Sequence, residues 1–337
     1  MIDLTQPEVK LALQVVGQGA DVAQQVRTAM ADRNLTKDDL SPVTVADFAS
    51  QALAARAMQQ ATPGVALVGE ESADELRTEA GAEVRKLVAE FVAKFDAEAT
   101  ESTVCDWIDY GTAEPNDCFW TLDPIDGTKG YLRGGQYAVA FALIKNGAVE
   151  LGALSCPNLG EGCEPDMGKG VTLIAQRGQG CWLSVAGSDF RQVHVSSRSN
   201  ISDARVMRSV EDSHTNASQI DALNAALGVT AEPVRMDSQA KYSVLAVGGG
   251  DLLFRLLNPG REDYKECIWD QAAGAIILEE AGGRITDLRG NALDFSQGRK
   301  LLKNTGVLAT NGTFHDAAPC PEVGCLLSRT TWYESHL

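Results

Sequence analysis

The start of the chain contains three stretches in which apolar residues recur every three or four positions. This spacing predicts amphipathic helices at Thr5–Met30, Thr44–Gln60 and Asp74–Ala99. The first two begin with a Thr that is followed three residues later by an acid, which is the spacing of a helix-opening capping box. In the second helix that acid is Asp47. The pattern therefore assigns Asp47 a capping role and leaves Asp39 in the loop before the helix.

Short apolar runs bounded by turn-forming residues predict strands in the rest of the first half. These runs are 65–68, 119–122, 137–144, 148–154, 171–175, 181–185 and 191–195. Asn146-Gly147 separates two of them, and this dipeptide between apolar runs indicates a β-hairpin. The closely spaced later runs predict an antiparallel sheet that ends near Ser196.

The second half alternates between helical and strand patterns, which is typical of an α/β layer. Strands are predicted near 204–209, 252–256, 284–286 and 307–309, and helices near 218–227, 239–247 and 268–281. The predicted fold class is therefore α/β, in the form of an α+β layered sandwich. An antiparallel-sheet domain at 1–196 is followed by a smaller α/β domain at 197–337.

The charge balance limits the partners of the protein. The 337 residues carry 29 basic and 46 acidic side chains, for a formal net charge of −17, so the surface would repel a nucleic-acid backbone. A small anionic substrate stays possible if metal ions mediate its binding. We find no run long enough to span a membrane and no signal-peptide pattern at the start, so we predict a cytoplasmic protein with no membrane partner.

The cysteine and histidine positions argue against a zinc or histidine metal site. The eight cysteines include no Cys-x-x-Cys pair, and the four histidines lack ligand spacing. We expect reduced, mostly buried thiols, although Cys156 with Cys163 and Cys320 with Cys325 are close enough in sequence to form disulfides. Any metal in this protein should therefore be held by oxygen atoms.

Three acidic clusters lie where a predicted strand ends or a helix starts. They are Glu70-Glu71, Asp123 with Asp126, and Asp270. Pro124 fixes the backbone between the two aspartates, and Gly127 permits a close backbone approach just after them. Such a turn can direct two carboxylates and a peptide carbonyl at one point, which suits Mg²⁺. The alternative is an ordinary acidic turn, because Asp-Pro and Asp-Gly are common turn formers.

Three sequence elements together resemble the inositol monophosphatase superfamily of magnesium-dependent, lithium-sensitive phosphatases. They are Gly69–Ser72 (Gly-Glu-Glu-Ser), Asp123–Thr128 (Asp-Pro-Ile-Asp-Gly-Thr), and Trp269-Asp270 leading to Glu280–Gly283. Four further stretches are similar to the 3′(2′),5′-bisphosphate nucleotidase branch: 39–47, 129–137, 156–159 and 238–242. The resemblance covers about 8–311, and it excludes 160–170 and the tail from Thr313.

The resemblance implies a reaction and a set of site residues. The reaction is Mg²⁺-dependent removal of the 3′-phosphate of adenosine 3′,5′-bisphosphate, a phosphorylated nucleotide, to give AMP. The implied metal ligands are Glu70, Asp123, the Ile125 carbonyl, Asp126 and Asp270. The residues implied to activate the attacking water are Asp39 and Thr128. Those implied to bind the substrate are Gly127, Thr128, His214, Ser238, Lys241, Arg255 and Asp270.

Other functions remain open at this point. The same fold could act on an inositol phosphate or a sugar bisphosphate, because fold alone does not determine substrate. A non-catalytic protein that senses Mg²⁺ or a nucleotide is a third alternative. No complete P-loop or dinucleotide-binding glycine pattern occurs in the sequence, so those two classes of nucleotide-binding protein have no support.

Overall fold

The computed structural model describes residues 2–32, 41–164, 168–210, 217–257 and 263–318. The helices are α1 (Pro7–Asp32), α2 (Pro42–Ala61), α3 (Ala82–Val92), α4 (Glu101–Tyr110), α5 (Thr128–Leu132), α6 (Ala217–Leu227), α7 (Ala240–Ala246) and α8 (Ala272–Glu280). The strands of the first half are β1 (Ala66–Gly69), β2 (Cys118–Asp126), β3 (Ala138–Lys145), β4 (Ala148–Cys156), β5 (Val171–Gln176), β6 (Gly180–Val185) and β7 (Arg191–Val193). Those of the second half are β8 (Val206–Arg208), β9 (Val234–Arg235), β10 (Leu252–Arg255), β11 (Arg284–Thr286) and β12 (Val307–Thr310).

The first half forms a seven-stranded sheet in the order β1-β2-β3-β4-β5-β6-β7. β1 and β2 run parallel, and every later neighbouring pair is antiparallel. The predicted hairpin between β3 and β4 is confirmed. Its turn residues Asn146 and Gly147 have φ values of 53° and 76°, the left-handed conformation that a tight hairpin turn needs.

The second half forms a five-stranded sheet in the order β11-β12-β10-β8-β9. β8, β9 and β10 run parallel, whereas β12 pairs antiparallel with both β10 and β11. The alternation predicted for this half is confirmed, because helices α6, α7 and α8 separate its strands. β9 is short and was not predicted.

The two sheets and the helices stack in five layers. Successive side chains of a strand point to opposite faces, so a sheet can pack against a layer on each side. On β2, Trp120 faces the core shared with α1 and α2, where its ring stacks on Phe141 with a centroid separation of 4.4 Å. Phe119 points from the opposite face of β2 into a second core. Residues of α7, of α8 and of the second sheet also belong to this core. Beyond that sheet, α6 contributes Ile220 to a third core. The predicted α/β layered sandwich is thereby confirmed, and the division near 196 remains a prediction.

Several element boundaries differ from the sequence prediction. Helix α2 begins at Pro42 with Ser41 as its N-cap, so the capping role predicted for Asp47 is wrong. Proline at the first helical position needs no amide partner and fixes φ, which starts the helix earlier. The third predicted helix is shorter, because only 82–92 are α-helical there, and α4 follows behind a Thr100–Thr103 capping box. α4 was not predicted.

The thiols and the membrane prediction can be compared with the described residues. Cys105, Cys118, Cys156, Cys163, Cys181 and Cys267 are free, so the expectation of reduced thiols is confirmed for these six. Cys320 and Cys325 lie outside the described residues. Across the described ranges, none of the helices has both the length and the apolar character needed to cross a bilayer.

Candidate active site

The loop from β2 to α5 is shaped by a β-bulge. Asp123 pairs with Ala140 of β3, but Asp126 pairs with Ala138, so β2 carries one extra residue between the two aspartates. Gly127 then adopts φ 88°, and a side chain there would place its Cβ 2.7 Å from the Cβ of Ser238. The absence of a side chain at Gly127 therefore lets the chain just after Asp126 lie against the segment that carries Ser238.

Asp123 is the most enclosed carboxyl of the site, with 3% of its surface exposed. Burial raises its pKa well above the usual value, and the charges of Glu70, Asp126 and Asp270 raise it further. Its Oδ1 is fully buried and has no hydrogen-bond partner among the described residues. A buried oxygen without a hydrogen-bond partner lowers the stability of a folded protein. We therefore expect a positively charged ligand at this atom.

Glu70 follows β1, which lies beside β2 in parallel, so the two strands end at the same edge of the sheet. Glu70 is exposed as a residue, but other acids lie near its carboxyl. Enclosure of that carboxyl, and then the charges of Glu71 and Asp126, raise the pKa of Glu70 to about 7. Glu70 therefore faces the same cleft as Asp123.

Asp270 reaches the cleft from the other half of the chain, two residues before α8. Burial and the charge of Asp126 raise its pKa well above the usual value, although Arg255 opposes the rise. Within the described ranges, no three Asp, Glu, Cys or His side chains surround one point at the spacing of metal ligands. The all-oxygen donors and the unpartnered Asp123 Oδ1 nevertheless fit a hard divalent cation.

Asp47 lies near the acidic residues of this site, and its spacing in the sequence predicted only a capping role. It lies on α2, where 9% of its surface is exposed. Burial, followed by the charges of Glu71 and Glu70, raises its pKa well above the usual value. α5, which begins at Thr128, packs against α2. The available signal was an acid inside a run of small apolar residues, where a charge is rarely buried without a function.

Gln51 lies one helical turn after Asp47 and supports the acidic loop. Its side-chain oxygen accepts from the Glu71 N–H at 3.0 Å, and its nitrogen donates to the Glu71 carbonyl at 2.6 Å. The same nitrogen donates to the Ile108 carbonyl at 2.9 Å. Gln51 is completely buried, so these bonds hold the backbone beside Glu70 in one position.

The segment before α7 connects Asp126 to the second half. The Gln239 N–H donates to Asp126 Oδ2 at 2.6 Å. Ser238, with φ 68°, accepts from the Ala240 N–H at 3.1 Å. Lys241 is 4% exposed, and its Nζ donates weakly to the Met236 carbonyl at 3.4 Å. Burial, and then the Arg255 charge, lower the pKa of Lys241 to about 8.

Arg255 is held by a carboxylate of its own. Its Nε and Nη2 donate to the two oxygens of Glu266 at 3.1 and 2.7 Å, a bidentate pair. Glu266 also accepts from the Gln271 side chain at 3.1 Å. The Arg255 charge is therefore offset within the protein, which makes Lys241 the less compensated of the two cations predicted to bind substrate.

A cavity of about 660 Å³ opens at the carboxyl ends of the parallel strands β8 and β10. Ligands of open α/β sheets bind at this position, and the volume suits a small molecule. Its apolar wall is formed by Met207, Ile220, Leu253, Phe254, Leu256 and Leu257. The predicted site residues that line it are Asp126, Gly127, Thr128, Ser238, Lys241, Arg255 and Asp270.

The remaining predicted residues are distributed as follows. Glu70 and Asp123 are coupled electrostatically to the cavity-lining Asp126, and Ile125 lies buried between the two aspartates of the bulge. Asp39 and His214 lie outside the described residues. The structure therefore brings most of the predicted residues to one cleft, and each individual role remains a prediction.

Comparison with known proteins gives a family match over most of the chain. The model of the inositol monophosphatase family matches residues 5–323. A 3′(2′),5′-bisphosphate nucleotidase of Emericella nidulans is 39% identical over 324 residues, which cover 88% of this chain and 91% of that protein. An enzyme of the same name from Schizosaccharomyces pombe is 40% identical over 305 residues, or 85% of each chain.

Solved structures share the fold at lower sequence identity. The Staphylococcus aureus inositol monophosphatase II superposes with a TM-score of 0.63 at 15% identity, covering 96% of this chain and 98% of that one. The Anabaena inositol monophosphatase gives a TM-score of 0.58 at 20% identity, covering 96% and 94%. These structures share the fold, and the family model together with the relatives shows that the chain belongs to the inositol monophosphatase family, as its three sequence elements indicated.

Proposed function

We propose that this member of the inositol monophosphatase family is a Mg²⁺-dependent 3′(2′),5′-bisphosphate nucleotidase. It hydrolyses the 3′-phosphate of adenosine 3′,5′-bisphosphate to AMP and phosphate. The observation that carries the proposal is that one cavity is lined by Asp126, Asp270 and the buried cation Lys241. The carboxyls can bind a hard cation at the phosphate that is cleaved, while Lys241 can bind the phosphate that is kept. The nucleotidase names of the relatives support this substrate.

The metal would be held by oxygen ligands from both halves of the chain. The proposed ligands are Glu70, Asp123, the Ile125 carbonyl, Asp126 and Asp270, and the hard-oxygen set favours Mg²⁺ among common cations. When bound, such a cation makes water a better nucleophile and withdraws charge from the phosphate. The acidic residues supply the negative charge that keeps the cation in the cleft.

Thr128 and a carboxyl would handle the proton of the attacking water. A hydroxyl alone is too weak a base, but one that donates to a carboxylate can orient the water and pass its proton on. Asp39 is the acid that the sequence resemblance assigns to this role. Asp47 is a second candidate for it, because it is buried beside Glu70 and Glu71 on the helix that packs against α5.

The substrate would lie with its reactive phosphate at the start of α5. Backbone N–H groups of Gly127 and Thr128 are proposed to bind that phosphate, and Ser238 lies beside them. Lys241 would hold the second phosphate, while Arg255 would line the cavity as a pair with Glu266. His214 completes the proposed nucleotide contacts. Inhibition by lithium and a cytoplasmic location are further parts of the proposal. The family resemblance supports the first, and the sequence patterns described above support the second.

The test is phosphate release by the purified protein from a panel of substrates. The panel contains adenosine 3′,5′-bisphosphate, inositol 1-phosphate, inositol 1,4-bisphosphate and fructose 1,6-bisphosphate, each with and without Mg²⁺ and lithium. We expect preference for the nucleotide, loss of release without metal, and inhibition by lithium. Preference for an inositol or sugar ester would keep the metal site and overturn the substrate. No release from any compound would favour a sensor.

A further inference from the structure

Arg299 lies beside the segment that leads to Asp270. The Ile268 N–H donates to the Arg299 carbonyl at 3.1 Å, and the Leu301 N–H donates to the Glu266 carbonyl at 2.9 Å. These bonds pair two chain segments antiparallel, with Cys267 opposite Lys300. The backbone of Arg299 is therefore fixed relative to the start of α8.

The Arg299 side chain reaches across to the first half of the chain. Its Nη2 donates to the Gly69 carbonyl, immediately before Glu70, and its Nη1 donates to the Ala113 carbonyl at 3.2 Å. Its guanidinium carbon lies 4.9 Å from the ring centroid of Trp269, immediately before Asp270. One guanidinium thus contacts a neighbour of Glu70 and a neighbour of Asp270, which come from different halves of the molecule.

Trp269 is also held from another direction. The Gln239 side chain donates to the Trp269 carbonyl at 2.9 Å, and it accepts from the Gly274 N–H at 3.1 Å. With Arg299 against its ring, the residue before Asp270 is fixed at both its backbone and its side chain. Of these two contacts, the one through Arg299 also connects to the Glu70 loop.

We propose that Arg299 is a positioning residue that sets the separation of Glu70 and Asp270, and with it the affinity for the divalent cation. The inference rests on the proposed metal site, and Arg299 would touch neither metal nor substrate. Groups that orient metal ligands typically change metal affinity or activity by about 10- to 100-fold when they are removed. Arginine suits this role because its planar fork gives two hydrogen bonds and a stacking face at once, whereas lysine has a compact charge.

The experiment compares Arg299→Lys and Arg299→Met with the wild-type chain. Mg²⁺ binding is measured by calorimetry without substrate, turnover is measured as a function of Mg²⁺ concentration, and unfolding is measured in a chelator. We expect Mg²⁺ to bind about 10-fold more weakly in the lysine variant and up to about 100-fold more weakly in the methionine variant. At saturating Mg²⁺, kcat should stay within a few-fold of the wild type. If the methionine variant does not fold, the lysine variant carries the test.

Arg284→Met is the matched control, because Arg284 is an exposed arginine that pairs with Asp316. It should leave Mg²⁺ binding unchanged. A fall in the unfolding temperature of the Arg299 variants with wild-type Mg²⁺ affinity would show a merely structural role and overturn the inference, as would a large loss of kcat at saturating Mg²⁺. If the wild-type chain itself binds no divalent cation, the proposed metal site is wrong. That result differs from the two above, which overturn only the role of Arg299.

Discussion

The charged groups on the two sides of the cavity differ in whether the protein itself pairs them with an opposite charge. The first half contributes Asp126 to the cavity wall, and behind it Asp123 is buried among other carboxyls, with no hydrogen-bond partner for its Oδ1 among the described residues. In the wall from the second half, Arg255 is held by both oxygens of Glu266, and Glu266 is held in turn by Gln271. Uncompensated charge thus lies on one side of the substrate space and internally paired charge on the other.

We interpret the first wall as the one that would hold the proposed cation, and the second as the one that shapes the cavity. Burying like charges together costs stability unless a ligand neutralises them, and such clusters are concentrated at catalytic centres. A paired and hydrogen-bonded ion needs no ligand and can hold a fixed surface for recognition. Lys241 is the exception in the second wall, because the hydrogen bond from its Nζ to the Met236 carbonyl is long, at 3.4 Å. The predictions below test this division.

Replacing Asp123 with Asn should have the largest effect. It removes a proposed metal ligand, so we expect turnover to fall by more than about 1,000-fold, beyond the range seen for groups that only orient ligands. The same change removes a charge from among Glu70, Asp126 and Asp270, so the metal-free protein should unfold at a higher temperature. Phosphate release and thermal unfolding in a chelator measure both effects.

The control is Asp294→Asn, which removes a carboxylate that pairs with Lys303 and whose pKa is lowered to about 2, first by the Ser296 side chain. That variant should keep its turnover and unfold at a slightly lower temperature. An Asp123→Asn protein that is both inactive and less stable without metal would contradict the interpretation of this wall as a cluster of uncompensated charge.

Asp47→Asn and Asp39→Asn together decide which acid serves the proton transfer. General base catalysis contributes about 100- to 10,000-fold, so loss of the true base should lower kcat by about that factor. The other variant should change kcat much less, and both should keep their affinity for the nucleotide. The measurement is kcat at saturating substrate and Mg²⁺. Nearly normal turnover in both variants would remove the proposed carboxyl partner of Thr128.

Lys241→Met should weaken nucleotide binding more than it slows chemistry. A hydrogen bond to a charged group contributes about 1.5–3 kcal/mol, so KM for adenosine 3′,5′-bisphosphate should rise by about 10- to 100-fold. KM for inositol 1-phosphate, which has no second phosphate, should change little. Lys303→Met is the matched surface control. An equal rise in KM for both substrates would show that Lys241 does not distinguish the second phosphate.

The smallest expected effect is on the pH dependence of stability without metal. The folded-state pKa of Glu70 is about 7, above the ordinary value of 4.5, so the folded protein keeps a proton that the unfolded chain loses across that interval. The unfolding free energy should therefore fall as pH rises from about 4.5 to about 7. Thermal unfolding in a chelator should show this slope. Glu70→Gln should make it shallower without abolishing it, because the raised pKa values of Asp47, Asp123 and Asp270 contribute in the same direction.

Local signals were sufficient for much of the fold. The Asn146-Gly147 hairpin follows from a turn type that only a few residues adopt, and the strands of the first sheet follow from short apolar runs between turns. Helix α4 was missed because its capping box uses Thr103 where the common pattern has Glu or Gln. The spacing of residues within one element therefore predicts that element only when the usual side chains are present.

The site was predictable where a motif is contiguous and not where it depends on long-range packing. Asp123 to Thr128 lies in one turn, so its residues had to be neighbours. Asp47 was assigned to a cap from its spacing to Thr44. The small apolar residues around it signal burial, but they do not show that α2 lies against the acidic loop. Gln51 and Arg299 act on backbone carbonyls of distant segments, and a carbonyl has no sequence signature.

The parallel pairing of β1 with β2 also affects how the protein folds. The Thr121 hydroxyl donates to the Val68 carbonyl at 2.9 Å across 53 residues of chain, and the intervening crossover contains α3 and α4. Closing such a loop must precede the contacts that reward it, so pairing of this kind is intrinsically slow. The β-meander beyond β2 can assemble from adjacent hairpins, whereas Glu70 reaches Asp123 only after the crossover has closed. The acidic cleft should therefore be among the last parts of the first half to assemble on the folding pathway.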